Sequence, residues 1–543
     1  MDEPGSGVPT GPPELSRRSM LRTTADLAAF AVVGTTLAGC VNDGTASSSG
    51  QSSATTTTAT PTTTTAAPNT ASGATGAGSS DALFAELDEK VESAMEEFVV
   101  PGVAVAVLHD GHEYVRGYGV CSVDAPVPVD EHTAFRIGST TKTFTGMAVM
   151  RLVEAGEVDL DATVRTYLPE FSVADEAVAE RVTVRQLLNH SAGWLGDDLQ
   201  DFGRGEDAIE RYVQSMTRLP QLRPLGSTFF YNNAAVVAAG HLVEKVHGTT
   251  YEQAVQDLVL DPLDLDHTRF FTDELVGRTF AGPHIVVDGN AVLDPSLWYL
   301  PRSINPAGAL ISSARDQMSY LRFHLGDGTA ADGSRILGAS SLETMHSHPG
   351  PGGTLLGELD GYALSLMVRP SAEGIPIVQH GGDWAAQHSG FMFVPERNFG
   401  IAILTNSTGG HSLREEIFVS DWALSRFAGL HNVPSEPQDK SAEQLAQYLG
   451  RYEAEGITLN GDTVTTIIEL TADDGRIGIR LVDPDSTVAA DEPVDFIALY
   501  RDDYAVDLSP EGTPLPTRYN FVRDANGEVD GFLVNGRLHL KIA

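Results

Sequence analysis

Strand-forming segments occur at both ends of the globular part of this 543-residue chain, with a long helical stretch between them. Near the start, Gly102–Leu108 is a run of apolar β-formers. An Asp110-Gly111 pair follows before His112-Glu113-Tyr114-Val115, which is a hairpin signal. Much later, Ile375–Gln379, Gly390–Val394 and Gly400–Thr405 form three consecutive apolar runs. These runs alternate poorly between polar and apolar residues, as strands buried on both faces do. Between the two groups the period changes to that of helices. One opens at Ser139 and stops at Gly156, and others span Thr183–Asn189 and Asn233–His247, the last followed by Gly248. A further helix, Asp81–Glu97, precedes the first strand and carries Leu83, Phe84, Leu87, Val91 and Met95 near a 3.6-residue spacing. Such a chain is expected to form an α+β unit, with an antiparallel sheet built from both ends of the segment and helices packed against it.

Composition sets the limits of that unit. Residues 41–80 are almost all Ser, Thr, Ala, Gly and Pro, so they cannot build a core and are expected to be a disordered tether. The globular unit is assigned to residues 81–431, and a polar, proline-containing link to 432–444. Residues 445–543 contain short strand-like runs separated by Gly and Asp turns: Thr463–Leu470, Ile477–Val482, Val494–Tyr500, Tyr504–Leu508, Tyr519–Arg523 and Gly531–Val534. This pattern predicts a small all-β barrel, with shaping of the active-site mouth, homo-oligomerisation and plain stabilisation as its candidate roles.

Residues 1–40 are expected to be an export address. Ser16-Arg17-Arg18-Ser19-Met20-Leu21 resembles a twin-arginine signal, and the apolar run Leu27–Ala38 is too short to span a bilayer. Leu37-Ala38-Gly39-Cys40 resembles a lipobox, which implies lipidation at Cys40 and anchoring on the outer face of the cytoplasmic membrane. Cys121 is then the only other cysteine, and it is expected to be buried or inert. The 74 acidic residues against 35 basic ones, 30 of them arginine, give a formal charge of −39. That surface excludes nucleic acid as a partner and leaves the lipid as the only membrane attachment. Scattered acids with few lysines also predict adaptation to high salt: molar salt should raise the midpoint of thermal unfolding, and a protein most stable without salt would refute the idea.

The chemistry is carried by three short elements. Ser139 and Lys142 lie three residues apart in Gly138-Ser139-Thr140-Thr141-Lys142, so on a helix their side chains share one face, as a nucleophile and an amine base must. Tyr231-Asn232-Asn233 precedes an apolar helix. There a phenol can relay a proton, and Asn233 can bind a substrate carbonyl or cap the helix. His380-Gly381-Gly382 follows the run Ile375–Gln379, at a strand edge where backbone N–H groups can form an oxyanion hole. His346 and His348 are weighed as metal ligands, but beside Pro349-Gly350 they read as an exposed loop.

In this order the motifs resemble those of the serine hydrolases with the penicillin-recognising fold: class C β-lactamases, D-alanyl-D-alanine carboxypeptidases, D-aminopeptidases and related esterases. The resemblance covers about residues 82–428. It extends through Val182–His190, Pro224–Asn233 and Asn305–Leu310. It implies Ser139 as nucleophile, Lys142 as activating amine, Tyr231 as proton relay and Asn233 as substrate contact. His380, Gly382 and Asp383 would belong to the substrate-binding third motif, with the N–H groups of Ser139 and Asp383 as the oxyanion hole. It implies a small ester, amide or peptide substrate and no cofactor. Histidine at 380, where β-lactamases carry lysine, favours esters or neutral peptides. His190-Ser191-Ala192-Gly193 departs from the family's His-Thr-Ser-Gly, so His190 is read as structural. The C-terminal unit resembles the lipocalin-like domains of several peptidases of this family.

Overall fold

The computed structural model describes residues 77–347, 349–482 and 495–542. The expected signal, Cys40 and residues 41–76 of the tether lie outside the described residues, as do His348 and Val494; the last four positions assigned to the tether, 77–80, are instead the first turn of a helix. Helix α1 (Ala77–Phe98) leads into β1 (Gly102–His109) and β2 (His112–Gly119). Asp110 and Gly111 between them have φ of 49° and 80°, the pair of positive values that a two-residue I′ turn requires. A 3₁₀ turn (Gly138–Thr140) runs into α2 (Thr141–Glu154), and α3 spans Asn233–His247. The sheet is completed by β3 (Gly361–Tyr362), β4 (Met367–Arg369), β5 (Ile377–Trp384), β6 (Gln387–Val394) and β7 (Phe399–Thr405).

The order of the seven strands is β2-β1-β7-β6-β5-β4-β3, all antiparallel. The two ends of the segment therefore meet at the β1–β7 pair, with Val103 opposite Thr405 and His109 opposite Phe399. Both faces are covered. Val103, Val105 and Val107 pack with Leu87 and Val91 of α1 and with Ile417 and Leu424, whereas Ala104 and Ala106 face Phe144 and Met147 of α2. Two-sided burial explains why these strands lack alternation in the sequence. One expectation needs correction: β5 does not stop before His380 but continues through it to Trp384, so the third motif lies within a strand.

The C-terminal strands are β8 (Gly450–Ile457), β9 (Thr463–Asp473), β10 (Arg476–Val482), β11 (Asp495–Arg501), β12 (Tyr504–Leu508), β13 (Pro514–Arg523), β14 (Val529–Val534) and β15 (Arg537–Lys541). They close in sequence order into an eight-stranded barrel, β15 pairing back onto β8. The barrel is seated firmly on the first unit. The Ile457 N–H donates to the Asp197 carbonyl at 2.8 Å, the Leu199 N–H donates to Ile457 at 2.9 Å, and the Tyr231 N–H donates to Gly536 at 2.7 Å. An apolar seam joins Phe229, Phe230 and Leu355 to Leu533 and Leu538, and Arg223 forks onto Asp530. Among the described residues no helix is long and apolar enough to cross a membrane.

Candidate active site

Ser139 lies in the tight turn that opens α2, and Lys142 lies one turn further on. Lys142 Nζ is 3.0 Å from Ser139 Oγ and 2.6 Å from the Ala307 carbonyl. Lys142 is fully buried, and burial is the main cause that pushes its pKa well below the ordinary lysine value; the Arg537 charge adds to this and Asp197 opposes it. A neutral lysine at this distance can accept the Ser139 proton.

Tyr231 lies on the other side of Ser139. Lys142 Nζ is 4.8 Å from the centre of its ring, and Ser139 hydrogen-bonds to its hydroxyl. Burial raises the Tyr231 pKa, so the phenol keeps its proton. His190 stacks on the ring at 4.6 Å, while its Nδ1 accepts from the Asn232 N–H at 2.9 Å; burial holds His190 neutral. It props the tyrosine, as its structural reading requires. The helix cap falls to Asn232, not Asn233: Asn232 Oδ1 accepts from the Ala235 N–H at 2.8 Å. Asn233 is thereby released to donate to Asp197 at 2.8 Å.

The strand β5 forms the facing wall. His380 is buried, and burial with the nearby Lys142 brings its pKa down to about 3. Its Nδ1 lies 2.6 Å from the Gly381 carbonyl, which places the proton there and leaves Nε2 to accept from Tyr362 at 3.4 Å. The wall therefore presents a neutral imidazole. Gly382 does not line the cavity but lets β5 approach the turn: a methyl group there would overlap the Ile137 carbonyl and reach 2.8 Å from the Ser139 nitrogen. The Asp383 N–H lies beside Gly138, which places it and the Ser139 N–H at the same end of the cleft.

Several site residues had no signal in the sequence. Arg414, almost fully buried, donates to the Gly382 and Ser389 carbonyls at 3.2 and 3.1 Å and pairs with Asp383 at 2.9 Å. His388 adds a 2.6 Å bond to the same carboxylate. Asp383, His388 and His411 are grouped as metal ligands would be, but the Arg414 guanidinium already bridges Asp383 and His411. Burial opposes ionisation of Asp383, yet Arg414 and His388 outweigh it and hold the carboxyl well below its usual range. From the barrel, Arg537 stacks on Tyr231 at 4.9 Å and its Nε donates to Asp197 at 2.9 Å, so it supports the residue that holds Asn233. Asp197, Arg414 and Arg537 belong to no local spacing pattern.

Other expectations resolve simply. Cys121 is buried, and burial raises its thiol pKa. His346 is not in an exposed loop. It ends the helix Ala339–His346, with its Nε2 2.9 Å from His324 Nδ1 and its ring against Phe393.

The family model described as Beta-lactamase matches residues 87–423. Penicillin-binding protein 4 of Amycolatopsis lactamdurans is 32% identical over 385 residues, spanning 68% of this chain and 98% of that relative. Among solved structures, SurE with D-Leu aligns with a TM-score of 0.64 at 25% identity, covering 86% of this chain and all of that one. That share is too large for residues 81–431 alone, so the likeness takes in the barrel as well. A class C β-lactamase from Rhodobacter sphaeroides matches 61% of this chain and 98% of its own at 23% identity and a TM-score of 0.50, a likeness of fold.

Proposed function

The chain belongs to the β-lactamase family, and on that basis we propose that it is a serine hydrolase that opens an ester or amide bond through an acyl-enzyme on Ser139. The observation that carries this reading is the buried Lys142 amine 3.0 Å from Ser139 Oγ. Lys142 takes the Ser139 proton as the oxygen attacks the carbonyl, the N–H groups of Ser139 and Asp383 hold the oxyanion, and Tyr231 relays the proton to the leaving group. Water then releases the acyl group by the same route in reverse. A catalytically silent scaffold would have no use for a desolvated lysine beside a serine.

His380 favours esters and peptides over β-lactams, because a neutral imidazole offers no fixed charge to the β-lactam carboxylate. The SurE structure with D-Leu supports a D-configured residue in the substrate. The kinship to a penicillin-binding protein favours β-lactam or D-alanyl-D-alanine cleavage as the second reading. A panel of short acyl esters, D- and L-amino acid peptides and nitrocefin, each at high salt, separates them. Ester or D-peptide turnover at least tenfold above nitrocefin is expected, and dominant nitrocefin turnover would refute the role given to His380. We further propose export by the twin-arginine route and anchoring through Cys40, on the strength of residues 16–40. Globomycin-sensitive incorporation of labelled palmitate that is lost in Cys40→Ala tests it.

The pH dependence follows from Lys142. Its free base is the active form, so kcat/KM should be full above the lysine's pKa and fall as pH drops through it. Arg537 helps to depress that pKa while Asp197 opposes it. Arg537→Ala leaves Asp197 unopposed, so the acidic limb should move to higher pH. An unmoved limb would mean that Arg537 does not act on the lysine.

A further inference from the structure

The barrel has an outer and an inner face that the pleat makes easy to assign. Arg451, Glu469 and Arg480 pair across β8, β9 and β10 on the outside. Tyr452, Ile468, Leu470 and Ile477 point inward and meet Phe521 and Phe532 in the barrel core. Counting in steps of two, Ala454 and Gly456 share the face of Tyr452, Val464 and Thr466 share that of Ile468, and Leu481 shares that of Ile477. Of these inward positions, Ala454, Gly456, Val464, Thr466, Ile468 and Leu481 line the same cavity as Ser139, a space of about 240 Å³. The cleft therefore runs from the nucleophile into the mouth of the barrel.

We propose that the inner face of the barrel mouth, at Ala454, Gly456, Val464, Thr466, Ile468 and Leu481, is a substrate subsite for an aliphatic hydrocarbon group. The proposal rests on the acyl-enzyme reading above and adds the substrate class. The inward face is apolar except for the Thr466 hydroxyl; the one carboxylate that these strands bring to the cavity edge, Glu455, alternates to the opposite face of β8. Polar groups stand at the junction: Arg537, tied to Asp197, and His539, whose Nδ1 lies 3.2 Å from the Arg537 carbonyl and whose burial lowers its pKa to about 4. Tyr452, Phe521 and Phe532 fill the far end, so the subsite has a floor. A hydrocarbon entering it leaves water without stranding a hydrogen bond, whereas a charged or hydrated group would lose its solvation. Small residues at 454 and 456 widen the end that faces Ser139, where Tyr452 closes the other.

Two ester series tell which side of the scissile bond supplies the hydrocarbon. One is 4-nitrophenyl acetate to decanoate, which lengthens the acyl group. The other is the methyl to decyl esters of N-acetyl-D-alanine, which lengthens the leaving group. A rise in kcat/KM of at least tenfold along one series is expected. Thr466→Trp should flatten it, while Thr465→Trp, on the outer face of the same strand, should leave it standing. No rise in either series, or a rise that survives Thr466→Trp, would overturn the proposal. Should Thr466→Trp not fold, photolabelling of full-length Ser139→Ala with a 4-nitrophenyl decanoate bearing a terminal diazirine gives the location directly. Label within residues 454–481 is expected, and label confined to the facing walls at Leu300 or Phe418 would reject the subsite. Calorimetry on Ser139→Ala separates this proposal from the reaction itself. The long member of either series bound at least tenfold tighter than its short member by a chain whose wild type turns over neither ester nor amide and takes no fluorophosphonate would remove the acyl-enzyme reading and leave the subsite. Equal binding would remove the subsite.

Discussion

Lys142→Met is expected to slow acylation by about 10³-fold or more, within the contribution of a well-placed general base, while leaving the protein folded. Methionine is unbranched like lysine and only one atom shorter, and it suits a fully buried position better than an amine does. The loss on the folding side is the bond to the Ala307 carbonyl, worth on the order of 1–3 kcal/mol if that oxygen finds no other donor. Against it stands the relief of removing a titratable group from a site that suppresses its charge. Stability should therefore change little while reactivity falls steeply. The rate of labelling by a fluorophosphonate, read beside thermal unfolding, measures both. Ser139→Ala should abolish labelling altogether. If Lys142→Met labels within tenfold of the wild type, the amine is not the base, and Tyr231 would have to act without it.

Gly382→Val should cost about 10²–10³-fold in kcat, the scale of a displaced oxyanion donor, and also destabilise the fold by roughly 1–3 kcal/mol. The reason is geometric. The added carbons meet the Ser389 hydroxyl and also the Ile137 carbonyl and the Ser139 nitrogen; the last two are backbone, so moving the serine side chain aside does not make room. Either β5 retreats from the turn or the turn itself shifts, and the N–H groups of Ser139 and Asp383 separate in both cases. Gly381→Ala is the comparison. A methyl there meets Arg414 Nη1 at 3.2 Å and the Ser389 carbonyl at 3.4 Å, contacts that a small adjustment relieves, so less than a tenfold loss is expected. Equal losses at the two positions would show that close approach of β5 is not what Gly382 provides.

The residues legible beforehand share one property: their relation is short in sequence. Ser139 and Lys142 are one helical turn apart, Tyr231 and Asn233 flank a helix start, and His380 and Gly382 sit on one strand. The backbone itself fixes such pairs, so spacing reveals them. Even there the detail moved, because Asn232 took the cap that Asn233 might have supplied, and β5 ran on through the third motif. The strands were legible as apolar runs, and their lack of alternation indicated two covered faces before any partner was known.

What the sequence determined alone is the α+β architecture, the barrel that follows it and the local pairs that bear chemistry, since each is written in periodicity or in spacing. Tertiary structure alone decided how those pairs become a site. It brought Asp197 to Asn233 and carried Arg537 across 340 positions onto Asp197 and, beside it, onto Tyr231. It also set Arg414 against β5 and opened the barrel toward Ser139. Contacts of that reach depend on which faces the hydrophobic cores leave adjacent after packing, and no local period encodes them. The lowered pKa of Lys142 belongs to the same class, because burial and a distant arginine, not the neighbours of Lys142 in the chain, displace its proton.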